Sequence, residues 1–440
     1  MVAIFFGAGR VHANGAFPDS LRIFVPADRP AEITLATTFG LVMSRDHGAT
    51  WDWVCEHGDG LMATQYQAAA APSRRLFGVA PVGLVYTDDD ACGWSLAAGL
   101  SSTTVTDAFT DPVNASRVLA LASFIDLAGQ PKSGLFLSTD AGKTFEAPKY
   151  LAPPESNLVS VEVAASKADR LYLTTFRSNL GLPGTTVIRS DDGGGTWTAF
   201  DITAVTGEGL VRIAAIDAQD PQKVYFRVTG AQDAIGLSTD GGETVTLPLI
   251  VTTQLTAFLR RTNGQVLVSA QDVVDGALYR SIDAGKSFTR MATRLSIRAL
   301  AERSGDLYVA TDNVVDGFAL AVSSDDGITF QPLLRFNQIK GARDCGNLVA
   351  ECAATCSSLV SVGTFTSSSC GSGDAGTVVE AGHGDAGDGE ANPPPGSSSL
   401  SSSAGRGCAC HLLPGEALSG PIVLAWAVVA ALMRRARRCR

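Results

Sequence analysis

An octet of the form Ser-x-Asp-x-Gly-x-Thr-Trp recurs seven times along this chain, and its spacing restricts the fold more than any other feature. The clearest copy occupies 190–197, with near-complete copies at 44–51, 138–145, 281–288 and 323–330. The copy at 238–245 keeps the polar positions and ends in Val245. The copy at 87–94 keeps Asp89 and Trp94 but carries Ala91 and Gly93 where Gly and Thr are usual. First positions lie 43, 51, 52, 48, 43 and 42 residues apart. A period of this length marks an array of like supersecondary units, none of which buries its apolar face alone.

Each position of the octet has a physical task. The aspartate sits in a tight turn between two strands, where an ionised carboxylate accepts from several backbone amides. The glycine supplies a backbone angle that other residues adopt only at a cost. The hydroxyls close the turn and the aromatic covers apolar surface beneath it. Hydrogen bonds to a charged group contribute roughly 1.5–3 kcal/mol each, so the turn anchors a hairpin without metal or ligand. Asp46, Asp89, Asp140, Asp192, Asp240, Asp283 and Asp325 are therefore expected to be structural, not catalytic or calcium-binding.

The octet resembles the Asp-box, or BNR repeat, of sialidases, xyloglucan-active glycosidases, sortilin-type receptors and photosystem assembly factors. That resemblance implies a β-propeller with the box on the hairpin joining a blade's two outer strands, away from the ligand face. It implies a fold more than an activity.

The residues between boxes agree with four short strands per blade. An apolar strand precedes each box, as in Gly40-Leu-Val-Met and Gly134-Leu-Phe-Leu, and another precedes that, as in Arg117-Val-Leu-Ala-Leu and Lys223-Val-Tyr-Phe. Seven boxes predict an all-β, seven-bladed propeller over 14–336 with four-stranded antiparallel blades. Residues 21–25 are expected to supply the innermost strand of blade one, leaving little circular strand exchange at closure.

Charge restricts the partners. The chain has 44 acidic and 34 basic residues, and five of those basic residues fall in the last seven positions, leaving the remainder at −15. Such a body repels nucleic acid. Nothing in the sequence calls for a metal or a cofactor, and a single monomeric propeller of this size buries an ample core.

The nine cysteines divide by region. Cys55 and Cys92 are expected to pair across blades one and two, replacing the anchoring that the second box loses; two unpaired buried thiols are the alternative. Cys345, Cys352, Cys356 and Cys370 form a compact segment, 337–370, in which two bridges are expected in an oxidising compartment. Without a CxxC pair or a histidine there, zinc is not expected.

Both ends point to export. Residues 371–407 are Gly, Ser, Asp and Glu around Pro393-Pro-Pro, the composition of a disordered stalk. Within 408–440, Cys408-Ala-Cys410-His precedes an apolar run over 421–433, expected as a short helix of about 20 Å, and a final arginine cluster. This order resembles the C-terminal sorting signals of myxobacterial surface proteins. The resemblance implies Cys408 or Cys410 as the processing or lipid-attachment site. Residues 1–13 end in a small-residue cleavage pattern but lack a charged start, as in a signal peptide shortened by a misplaced start codon. The expected location is the cell surface or outer membrane, with release into the medium if the tail is cut.

Two functional readings follow. The first is a non-enzymatic propeller that binds a glycan, peptide or protein on the face opposite the boxes. The loops between second and third strands, at 124–134, 177–186, 230–234, 271–276 and 312–317, would build that face. They offer Asp126, Arg177, Asp233, Asp275 and Asp316, the last two from a shared Val-Val-Asp-Gly. The second reading is a glycoside hydrolase using loop carboxylates such as Asp275 and Asp316. A sialidase-type site is poorly matched, because Arg22-Ile-Phe-Val-Pro26 only approximates the expected Arg-Ile-Pro and the sequence shows seven blades where that family has six. Xyloglucan-type enzymes use a cleft between two propellers, and this chain has length for one. An assembly factor of the photosystem type is a third reading, for which the sequence marks no partner.

Overall fold

A computed structural model describes residues 19–370 apart from 57–62, 64, 102, 178–183, 272–274 and 347. Seven four-stranded antiparallel sheets follow one another, over 20–55, 65–96, 104–151, 156–201, 210–251, 254–290 and 297–334. Each is built from four consecutive strands, so the chain is a seven-bladed propeller as the octet period requires. Blade one includes its own inner strand, Ser20–Phe24, paired with Ile33–Thr37, and the ring closes without exchanging a strand. The signal-peptide, stalk and sorting-signal readings, with Cys408 and Cys410, fall outside the described residues.

The core is a ring of layers between blades. Second strands such as Ile33–Thr37 and Leu76–Ala80 are buried at every position, which explains their near-continuous apolar sequences. Phe77 of blade two packs with Val105, Val118 and Phe136 of blade three, and the same stacking repeats around the ring. Polar clamps cross the same seams. The Leu158 amide donates to Ser133 Oγ at 2.9 Å, the Val161 amide to Asp107 Oδ2 at 3.0 Å, and the Leu255 amide to Asp233 Oδ2 at 2.9 Å.

The octets close the hairpins between third and fourth strands. In the six fuller copies the serine hydroxyl donates to aspartate Oδ1 at 2.6–2.9 Å. The seventh-position hydroxyl donates to Oδ2 at 2.5–2.7 Å. Blade two keeps most of this frame: Thr87 donates to Asp89 at 2.7 Å and the Gly93 amide does so at 2.9 Å. Fourth and fifth positions are left-handed, as at Ala141 (φ 62°) and Gly142 (φ 77°). The fifth-position glycine also has a packing reason, because a Cβ on Gly142 would sit 2.4 Å from Phe77 of the preceding blade.

The disulfides differ from the expected pairing. Cys55 bonds Cys352, Cys92 bonds Cys345, and only Cys356–Cys370 lies within the C-terminal segment. The expected Cys55–Cys92 bridge, and a second bridge confined to 337–370, are thereby corrected. The cause is the path of the chain after blade seven. It returns to blade one and forms a parallel bridge, Ala342 with Trp53, on its outer edge: the Trp53 amide donates to Gly341 O at 2.9 Å, and the Arg343 amide to Trp53 O at 2.8 Å. The helix Leu348–Ser361 then buries Leu348, Cys352, Cys356 and Leu359 against this edge. Phe39, Trp53, Phe336 and Phe365 seal the joint, with Trp53 and Phe365 ring centroids 5.1 Å apart.

Candidate functional site

The face opposite the octets is built from loops between second and third strands and from the crossovers between blades. Blades three and four rise highest on it. Counted from the partner of the octet serine, their second strands run 8 residues in blade three (Val118–Ile125) and 7 in blade four (171–177), against 5 in blade one (Ile33–Thr37). Between these walls lies an open groove of about 930 Å³, lined among others by Phe124, Ile125, Pro131, Pro153, Pro154 and Asn157. Ile125 is 67% exposed and Leu127, at the tip of the same hairpin, is fully exposed. Large apolar side chains left in water around a groove are a mark of an interaction site.

The five sequence-derived residues of this face fall at separate places. Asp126 closes the hairpin turn of blade three, accepting from the amides of Gln130 at 2.8 Å and Ala128 at 2.9 Å. Those donations, led by Gln130, hold its carboxyl below the usual range. Arg177 ends the second strand of blade four, exposed, in register with Ser156 and Gly184. Asp233 is buried at the seam of blades five and six, where it accepts from Leu255 and faces Arg227 at 3.8 Å. Asp275 is ion-paired with Arg294.

Asp316 accepts from the Ser296 amide at 3.0 Å. Burial pushes its carboxyl up to about 6, with Asp312 adding to the rise and Arg298 and the Ser296 amide opposing it. Asp275 and Asp316 thus flank one crossover: the Gly276 amide donates to Arg294 O and the Asp312 amide to Ser296 O, each at 3.1 Å. Their shared Val-Val-Asp-Gly reflects this common use of the entry to blade seven.

Sequence reasoning missed the charged groups that the topology gathers from distant positions. Arg298 reaches Asp19 at 2.9 Å and Asp312 at 3.0 Å, tying the lead-in of blade one to the last blade. The inner strands place Arg22, Asp107, Glu162 and Arg212 around the central channel. Burial, reinforced by Asp107, pushes Glu162 up to about 8. The only sequence signal for these was a polar residue in an otherwise apolar inner strand. Among the described residues, no cluster of three or more His, Cys, Asp or Glu has metal-binding geometry.

No family model matches the chain, and no curated protein matches it. Solved structures do. A GH74 xyloglucanase from Xanthomonas campestris is 15% identical over 71% of this chain and 58% of its own, with a TM-score of 0.40. YCF48 from Cyanidioschyzon merolae is 14% identical over 66% of this chain and 92% of its own, with a TM-score of 0.45. A puromycin-hydrolyzing peptidase from Mycobacterium tuberculosis is 11% identical over 74% of this chain and 55% of its own, with a TM-score of 0.51. The chain therefore spans little more than half the length of the xyloglucanase and the peptidase. At these identities the likeness is one of fold.

Proposed function

We propose that this is an exported, surface-held Asp-box propeller that binds a protein or glycan partner through the face opposite its boxes, without turnover. One observation carries the reading. The acidic residues of that face already serve the fold, as turn, seam and crossover acceptors, whereas uncommitted apolar surface stands at Ile125 in the groove and at Leu127 on the hairpin tip beside it. A hydrolase needs two carboxylates flanking one bond. Here Asp275 is ion-paired with Arg294 and Asp316 accepts from the Ser296 amide. Three disulfides favour an oxidising compartment, in keeping with export and with the Cys–apolar–Arg order of the tail.

The test is to present the full chain to glycan and peptide arrays and, in parallel, to plant, microbial and sialylated polysaccharides. Binding without turnover, reduced at least about tenfold by Ile125→Asp with Leu127→Asp, is the expected result. Turnover that disappears in Asp275→Ala or Asp316→Ala would replace this reading with the hydrolase. Cell fractionation with mass analysis of the mature termini tests export, and an intact chain confined to the cytosol would overturn it.

A further inference from the structure

At the opposite end of the channel, on the octet face, lies a second cavity of about 470 Å³. Blades one, two, six and seven line it, through the loops after Ser20–Phe24 and Gln65–Ala68 and the ends of Gln254–Arg260 and Ile297–Arg303. Its walls are mainly apolar, including Phe24, Val25, Ala68, Leu259 and Leu300.

The charges on its surface are paired, with one exception. Arg29 binds Asp28 at 2.8 Å and Glu32 at 3.0 Å, and Arg74 binds Glu32 at 2.7 Å and Asp90 at 3.1 Å. Arg75 binds Asp88 at 2.5 Å, and Glu302 binds Arg261 at 3.1 Å. Arg22 makes no hydrogen bond or ion pair among the described residues. It lines the cavity, its guanidinium carbon 5.6 Å from the Phe24 ring centroid.

Two carboxylates, Glu162 and Asp107, face Arg22 across the channel and act on its charge from there, but neither forms a hydrogen bond or an ion pair with it. Asp107 is occupied by Gln65 at 2.8 Å and by the Val161 amide. Burial and Asp107 push Glu162 up to about 8, with Arg22 opposing the rise. Arginine itself stays charged. One fork of donors in an apolar recess matches the planar acceptor pair of a single carboxylate, and a polyanion would find no second unpaired cation among the described residues of the lining. The volume lies within the range of small-molecule sites.

We propose that this cavity binds a small monocarboxylic acid with an apolar body, its carboxylate bidentate on Arg22 and its chain against Phe24, Val25, Leu259 and Leu300. The site is on the other face from the groove of blades three and four, so it stands or falls separately from partner binding there.

Calorimetric titration of the full chain with sodium octanoate, 1-octanol and a short apolar peptide acid tests the assignment. Saturable one-site binding of octanoate is expected, at least about tenfold tighter than octanol, and weakened at least about tenfold by Arg22→Gln while octanol is unaffected. Val25→Asp, at the wall, is expected to weaken octanoate more than octanol and serves if Arg22→Gln melts abnormally. Equal affinity for acid and alcohol, indifference to both substitutions, or no saturable heat overturns the proposal. Tighter binding of the peptide acid overturns the small-molecule assignment and moves the site to a chain terminus.

Discussion

Asp192 shows what one side chain of the octet does. Its carboxylate takes the Thr196 amide at 2.9 Å, the Thr196 hydroxyl at 2.7 Å and the Ser190 hydroxyl at 2.8 Å, and these donations, led by the Thr196 amide, hold it down to about 2. Since the folded value lies below the ordinary 3.8, the carboxylate's contribution is complete above about pH 4 and is lost as pH falls towards 2. Asp192→Asn is expected to lower the melting temperature at pH 6 and to converge on the parent near pH 2, followed by circular dichroism. Glu162 has the opposite sign. Its folded value of about 8 lies above the ordinary 4.5, so stability declines as pH rises from 4.5 through 8, each unit of difference being worth about 1.4 kcal/mol. Glu162→Gln removes that slope and is expected to gain on the parent between pH 5 and pH 8 in denaturant titrations. Glycines within the octet differ too. Gly142→Ala meets Phe77 and is expected to cost about 1–3 kcal/mol by overpacking. Gly194→Ala, whose nearest contact is Trp197 at 3.4 Å, is expected to cost less, and urea midpoints of the two variants test the difference.

At the scale of the element, legibility in the sequence followed locality. The octet turn is closed by donors and acceptors within eight residues, so its pattern is written in one short stretch. The same is true of alternating strands such as Val118–Ile125, whose burial follows their own composition. The disulfides were not legible, because Cys55 and Cys352 are 297 residues apart and meet through the parallel bridge between Ala342 and Trp53. Proximity along the chain favoured Cys55 with Cys92, and closure of the ring favoured distant partners. The candidate site was legible only as a face. Asp126 lay in the expected loop and Asp233 opens the strand after it, but nothing local revealed that backbone amides would occupy them. Replacing Cys92 and Cys345 together by Ser is expected to lower stability by about 2–5 kcal/mol, the usual range for a native bridge. Unfolding in guanidinium, compared with the parent treated with reductant, measures it.

The molecule as a whole keeps its two faces chemically apart. Octets occupy one, where Arg22 lines a recess beside Phe24. Tall hairpins and exposed aliphatic side chains occupy the other. The continuous ring of inter-blade layers makes neither face independent of the fold, so substitutions in a seam are expected to act on both, whereas Ile125→Asp and Arg22→Gln act on one each.

The return of the chain to blade one also sets a path for mechanical load. Any pull on residues beyond 370 enters the described fold at Cys370 and crosses covalently to Cys356. From the helix it passes through Cys352 to Cys55, while Cys345 is moored to Cys92. The outer strand of blade seven, Gln331–Leu334, lies behind that mooring and is shielded from being peeled away. Tension applied at the tail therefore strains blades one and two through their sulfur links, and the last blade, which precedes the tail in the chain, is the one it spares.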